Sequence, residues 1–415
     1  MIREKFARLK HHFVIFLAVM GPGIITAVVD NDSGGIYTYS QAGARWGYLP
    51  LWTLLPITIA LIVSQEMCSR MGAVTGKGLS DLIREEFGLR ITFGIMILLL
   101  LANLTNIIAE FAGVATALDL FGVSKFISVP LAGALVWFLA VKGNYRSVEK
   151  IFLFACVIYV TYVVAGVLVK PNWGEALIYS VRPKLMLDSG YITMLIAMVG
   201  TTIAPWMQFY QQAAVVEKGI TAKEFRESRI EVIVGCLGTA VIAFFIIVAC
   251  AGAYRDNPTD ITSAGQAAEA LKPFGAYTFL LFSAGLLNAS VFAACILPLS
   301  TAYSVCEGLG FESGVNKSWK EAPIFYWLYT LLIVVGGGIV IIPNFPLVQM
   351  ILLSQVLNGM LLPFILIFMI LLINKHHLMG EWRNPRPYNV VAWLTVIIVI
   401  GMTLALTGLT IRNPT

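Results

Sequence analysis

Eleven long apolar runs decide what this chain can become. Stretches of about 17–25 predominantly apolar residues fall at 13–43, 49–73, 91–121, 126–141, 150–169, 190–216, 229–252, 274–307, 323–343, 345–373 and 389–411. Bilayer hydrocarbon offers no water to backbone N–H and C=O groups, so spanning segments must be helices or a closed barrel. Runs this long predict helices, and hence an all-α, polytopic, multi-pass protein of the cell membrane. Composition agrees: 58% of the 415 residues are hydrophobic and only 12% charged, against about 25% charged in soluble domains. The basic start, Met1 to His12, leads into an apolar run with no small-residue cleavage site, which predicts a retained first helix.

The basic residues test the count, because Lys and Arg gather on the cytoplasmic side. With the N-terminus cytoplasmic, twenty of the 28 Lys and Arg residues fall on that side and eight on the other. A missed helix would scramble this split, so it supports 11 transmembrane helices. It also accounts for the net charge of +5 without a nucleic-acid partner. No loop is long enough for a second domain, so 1–415 reads as a single transmembrane domain. The six cysteines are scattered through apolar runs with no CxxC spacing, and read as small buried hydrophobes.

Two spans are interrupted. The first carries Asp30-Asn31-Asp32-Ser33-Gly34-Gly35, and the sixth carries Gly200-Thr201-Thr202-Ile203-Ala204-Pro205-Trp206. Carboxylates inside a membrane are costly and point to function. Asp, Asn, Ser and Gly are poor in a helix interior, and Pro205 has no N–H to give the preceding turn. Both segments should unwind and free backbone carbonyls. Breaks at matched positions of two halves mark a transporter binding site. An offset of five spans inverts the second half. The expected fold is therefore a LeuT-like 5+5 inverted repeat, with repeat one at about 13–169, repeat two at about 190–373 and an extra helix at about 389–411. In an unbroken helix Asp30 and Asp32 would point roughly 200° apart, so only one would face the site unless unwinding joins them.

At these residues the chain resembles the Nramp family of divalent-metal transporters, over nearly its whole length. Asp32-Ser33-Gly34-Gly35 stands where the family has Asp-Pro-Gly-Asn, followed by a similar Gln41-Ala42-Gly43-Ala44-Arg45-Trp46-Gly47-Tyr48. Met67 to Lys77 resembles the family's second helix and loop, and Ser354-Gln355-Val356 with Leu362-Pro363-Phe364 its tenth helix. The resemblance implies Asp32 as the metal-binding aspartate, Gly35 at the asparagine position and Gln355 within reach of the ion.

The departures carry the substrate expectation. The family's Met-Pro-His in helix six reads Ala204-Pro205-Trp206, its second histidine there is Gln211, and its helix-three Asp-x-x-Glu reads Ile107-Ile108-Ala109-Glu110. Without the thioether, the preference for manganese or iron over harder ions goes. What remains is oxygen: Asp32, freed carbonyls and Gln355. Mg²⁺ keeps several waters and needs few carboxylates, and Gly35 would leave room for them. The pattern is similar to the Nramp-related magnesium transporters, which implies transport of Mg²⁺, and of Mn²⁺, without proton coupling. All four histidines (His11, His12, His376, His377) sit at cytoplasmic ends.

The site thus expected is Asp32, Gly35, Thr201, Ala204 and Gln355, with Asp30, Trp206, Gln208, Gln211 and Glu110 as candidate cavity or vestibule residues and Gln212 beside them. Thr201 would contribute a backbone oxygen, Ala204 reduced bulk, and Glu110 packing support. Asp30 reads as an extra cation-attracting acid or a hydrogen-bond partner of a neighbouring helix. Glu66, Asp119 and Glu307 lie near span ends, where contact with water is the default. The expected partners are a divalent metal ion as substrate and the lipid bilayer, with no cofactor and no obligatory protein partner. A proton-coupled Mn²⁺/Fe²⁺ importer is the nearest alternative and a sodium-coupled amino-acid symporter a more distant one. An enzyme is not expected, as HExxH and GxSxG are missing.

Overall fold

The first and sixth spans are each split into two half-helices by a non-helical turn, and the rest of the molecule is arranged around them. The computed structural model describes residues 21–412 apart from 143–144, 256, 262–263, 272–274 and 346. The basic start, residues 13–20 of the first expected span, and His11 and His12 lie outside the described residues, as does any direct sign of orientation. The first span continues as two half-helices, α1 (Pro22–Val28) and α2 (Ser33–Trp46). A 3₁₀ turn (Leu49–Thr53) enters α3 (Leu54–Thr75), followed by α4 (Leu79–Phe87), α5 (Leu89–Asp119) and α6 (Lys125–Lys142). The fifth span is α7 (Tyr145–Ile158) with α8 (Val160–Leu168), and a short helix α9 (Trp173–Val181) follows. The sixth span is again two half-helices, α10 (Ser189–Thr202) and α11 (Pro205–Lys218). Then come α12 (Phe225–Ala253), α13 (Ala264–Ala270), α14 (Ala276–Leu309), α15 (Pro323–Ile341), α16 (Leu347–Ile373), the single turn α17 (His376–Met379) and α18 (Arg386–Arg412).

Among the described residues every regular element is helical, and ten stretches are long and apolar enough to cross a membrane. They match the expected spans two to eleven within a few residues. Local signals set the ends. Proline, whose missing N–H costs nothing at a helix start, opens α1, α11 and α15. Asn172 and Asp188 cap α9 and α10 by accepting from Glu175 N and Tyr191 N. Left-handed glycines end α3, α11 and α14 at Gly76, Gly219 and Gly310.

Burial orders the helices. The most hydropathic window of the sixth span is 94% buried and that of α18 only 17%, so the split helix is central and the last helix peripheral. α12 packs on α1, α2 and α3; α11 packs on α3; α16 packs on α10 and α5. Gly200 fits directly against the α16 backbone, where a Cβ would stand 2.1 Å from Gln355 O and 2.4 Å from Gly359 N. Such close backbone approach is how membrane helices associate where apolar burial gives no net drive.

Of the acids thought to meet water at span ends, Glu66 does not, and Glu307 is half-buried. Glu66 is buried and bridges Arg70 (3.0 Å) and Arg229 (3.6 Å). Arg70 also donates to the Trp382 and Arg383 carbonyls, tying the approach to α18 onto α3. Glu307 packs against Gly78 in the turn before α4. Asp119 is exposed, as expected. All six cysteines are free, and all but the half-buried Cys156 are buried.

Candidate metal-binding site

The first break runs from Val29 to Asp32. Asp32 takes an extended conformation, and its Oδ1 accepts from Gly35 N at 2.7 Å, so the acid caps α2. The next residue turns the other way: Ser33 N donates to Glu110 Oε2 (3.1 Å) and Ser33 Oγ to Ala109 O (2.8 Å). Glu110 is thus held against the residue after Asp32, and its other oxygen, Oε1, is buried with no hydrogen-bond partner. The N-terminus of α2 stabilises the Asp32 carboxylate, while the carbonyl end of α1 and the second buried acid, Glu110, lie at the same break, where negative charge and oxygen favour a cation. α1 ends at its other side on a third acid: Glu231 Oε1, from α12, accepts from Gly21 N (2.6 Å) and Ile24 N (3.1 Å).

The second break turns at Ile203 and Ala204, with Pro205 opening α11. The Thr201 carbonyl is the acceptor that Pro205, lacking an N–H, cannot reach. Ala204 gives no side-chain cap. Thr202 Oγ1 and Tyr39 OH bond at 2.6 Å, which joins α10 to α2. The Thr201 hydroxyl is buried with no hydrogen-bond partner.

The groups converge on Gly34 and Gly35. A Cβ on Gly35 would stand 2.7 Å from the Asp30 carbonyl oxygen, 3.1 Å from Thr201 Oγ1 and 3.5 Å from Asp32 Oδ1. A Cβ on Gly34 would stand 2.0 Å from Gln355 Nε2 and 3.2 Å from Asp32 Oδ1. Gly35 is thus needed for close approach, which corrects the expectation that it leaves room for water. Gln355 turns its amide nitrogen to Gly34 and its oxygen to Asn358 Nδ2 (3.3 Å). Turning the amide over, which exchanges two atoms of like size, would present the oxygen. Asn358 is in turn paired with Asn106 of α5 through two bonds of 3.1 Å. This amide bridge holding Gln355 went unread in the sequence, where two isolated asparagines carry no signal.

Asp32, Gly35, Thr201 and Gln355 are therefore brought together, with Glu110 beside Asp32. Asp30 enters through its backbone carbonyl, while both of its carboxylate oxygens are buried without a hydrogen-bond partner. The expected hydrogen bond from Asp30 to a neighbouring helix is not made; Asn31 makes one instead, to Thr239 O (3.4 Å). Ala204 is buried at the turn but stands outside the contacts at Gly34 and Gly35. Trp206 is buried, its carbonyl accepting from Ser300 Oγ (3.1 Å) and its ring 6.4 Å from Tyr210.

Below the second break lies a run of buried amides. Gln208 accepts from Cys68 Sγ (3.5 Å) and Gln212 donates to Lys77 O (2.9 Å), so α11 runs beside α3 in register. Both amide atoms of Gln211, and one each of Gln208 and Gln212, lack protein partners. Gln65, one turn before Cys68 on that face of α3, is buried with both amide atoms unpartnered. The register places it level with Ala204 and Pro205. It was missed because a lone glutamine in an apolar run has no period to mark it. Buried polar atoms left unpaired this way are where ordered water sits.

Among the described residues no three His, Cys, Asp or Glu side chains form a metal cluster. The donors at hand are carboxylate, hydroxyl, amide and backbone oxygen, a hard set.

Comparison with known proteins follows the same lines. Residues 23–408 match the family profile described as natural resistance-associated macrophage protein-like, Nramp. The chain is 25% identical to the divalent metal cation transporter MntH of Granulibacter bethesdensis, over 94% of this chain and 88% of that one. A crystal structure of the Eremococcus coleocola manganese transporter superposes with TM-score 0.74 at 22% identity, covering 96% of this chain and 89% of that one. Mhp1, a nucleobase-cation-symport-1 family transporter, superposes at 0.58 with 15% identity over 95% and 94%. The last two show a shared LeuT-like architecture.

Proposed function

The chain belongs to the Nramp family, and on that premise we propose that it carries a divalent metal cation across the membrane by alternating access. The observation that carries this reading is the convergence of Asp32 Oδ1, the Asp30 carbonyl, Thr201 Oγ1 and the Gln355 amide on Gly34 and Gly35. These groups come from both split spans and from α16, so a motion that parts the two halves would open the site to one side and then the other. The reading includes eleven spans with the N-terminus cytoplasmic and the two repeats bounded as above.

In this account Asp32 is the principal ligand, with Glu110 adding charge behind it. The Thr201 carbonyl, unreachable by Pro205, and the Asp30 carbonyl supply neutral oxygen. Gln355 closes the site once its amide turns. The unpaired amides of Gln65, Gln208 and Gln211 hold the ion's remaining waters on its way along α11. The Asp30 carboxyl, buried without a hydrogen-bond partner, is free to meet a cation that enters the break.

The donor set supports Mg²⁺ as a substrate, with Mn²⁺ also accepted, because Ala204 offers no sulfur where a soft ligand would discriminate. Glu110 is the one acid of the helix-three pattern, and α11 holds no histidine, which supports transport without protons. The second reading is a proton-coupled manganese importer, and the names of the relatives favour its ion: one is called a divalent metal cation transporter and another a manganese transporter. Influx of Mg²⁺, Mn²⁺ and Ca²⁺ into liposomes holding the purified protein separates them. Saturable Mg²⁺ entry at millimolar concentration is expected. Mn²⁺ entry that Mg²⁺ neither matches nor inhibits would reject the magnesium reading.

A further inference from the structure

A groove of about 390 Å³ opens on the membrane-facing side of the molecule between α6 and α15, with Phe111 of α5 as its floor. Its origin is legible in the residues. Pro130 lies within α6, and Gly133, Gly337 and Gly338 remove the side chains that would fill the space. A Cβ on Gly338 would meet nothing within 4 Å.

The lining sets the occupant's chemistry. The two polar side chains in it satisfy each other and the backbone: Trp137 Nε1 donates to Thr330 Oγ1 (2.9 Å), which donates to Tyr326 O (2.7 Å). An occupant would therefore find no free donor or acceptor inside. One charge stands at the mouth. Lys125, first residue of α6, is half-buried beside the end of α15 and donates to Val340 O (3.0 Å) and Ile342 O (3.1 Å). An ammonium has three N–H groups, so one remains beyond these two bonds, with the Phe126 ring 5.8 Å from Nζ.

We propose that this groove is a phospholipid site: one acyl chain lies between α6 and α15 and its phosphate rests on Lys125. Lipid tails are as apolar as the side chains lining the groove, so burial alone gives a chain no reason to prefer it. The preference comes from the shape left by the glycines and from the fixed ammonium. In the orientation proposed above, Lys125 faces the outer leaflet. The chain would touch Phe111 on the groove side of α5. The inference is independent of which ion is carried.

The test uses the full-length protein in phosphatidylcholine vesicles doped with phosphatidylglycerol bearing a diazirine in one acyl chain, followed by peptide mapping. Labelling of 125–142 and 323–341 should exceed that of 386–412, which is lipid-exposed and does not line this groove. Gly338→Leu, which fills the open space, should cut labelling of the groove at least fivefold and leave 386–412 unchanged as the internal control of folding. Lys125→Gln should lower it about fivefold, the effect of one basic residue near a membrane surface. Labelling spread evenly over the lipid-facing spans, or groove labelling indifferent to Gly338→Leu, would overturn the proposal.

Discussion

The breaks in spans one and six occupy corresponding places in the two halves, yet they are built from opposite materials. The first is held by side-chain charge. Asp32 caps α2, Glu110 takes the Ser33 amide, and Glu231 caps α1 from across the bundle. The second is held by geometry. Pro205 stops one helix and starts the next, Ala204 gives no cap, and the Thr201 hydroxyl has no hydrogen-bond partner. In the proposed account the first break supplies the charge that attracts a cation, together with the Asp30 carbonyl, and the second supplies the uncharged groups around Thr201 and Ala204 that choose among cations. Changes at the first should decide whether transport occurs, and changes at the second which ion is carried.

The largest expected effect tests the first half of that contrast. Asp32→Ala should reduce metal influx into liposomes to the protein-free level, while Thr201→Ala, which keeps the backbone carbonyl, should lose only a few-fold. Equal losses would erase the distinction. Next, Ala204→Met places a thioether at the second break. It should raise Mn²⁺ or Cd²⁺ influx relative to Mg²⁺ by about tenfold, equivalent to ~1.4 kcal/mol, with total activity kept; an unchanged ion ratio would remove selectivity from that break.

A smaller effect concerns the cap on α1. Glu231→Gln keeps an acceptor but removes the charge at the helix N-terminus. A cap is worth about 1 kcal/mol, so amide exchange in 21–25 should quicken about fivefold, with no matching change in 205–209. The smallest effect lies away from both breaks and serves as their control. Lys375 Nζ (2.6 Å) and His377 (2.9 Å) bond the Glu86 carboxylate and hold its pKa below the usual range. A depressed folded pKa means the link stabilises fully above the ordinary glutamate pKa, about 4.3. It fades as pH falls through the lower folded value. Thermal midpoints of the wild type and Glu86→Gln should differ slightly at pH 7 and converge as the pH falls from about 4.3 through the lower folded value, with ion selectivity unaffected throughout.

The contrast also explains what the sequence could and could not convey. Hydropathy marked spans two to eleven within a few residues, and the unwinding at Asp30–Asp32 and Ala204–Pro205 followed from helix propensity and a missing N–H. Those are local properties. The partners of each break are not. Glu231 meets Gly21 across 210 residues, and the Asn106–Asn358 bridge behind Gln355 spans 252. Gly35 read as an absence, a residue smaller than the family's, whereas the Asp30 carbonyl pressing on it makes it a packing requirement. Gln65 became visible only when the register of α3 against α11 set it level with the second break.

The central claim is an oxygen-lined site that moves a divalent cation without moving protons. The most direct test follows Mg²⁺ entry and lumenal pH together in liposomes holding the purified protein, under an inward metal gradient with the membrane potential clamped. The account predicts Mg²⁺ entry at constant lumenal pH, and Mn²⁺ entry that is equally silent. Lumenal acidification that rises with metal influx would contradict it and return the protein to the proton-coupled reading.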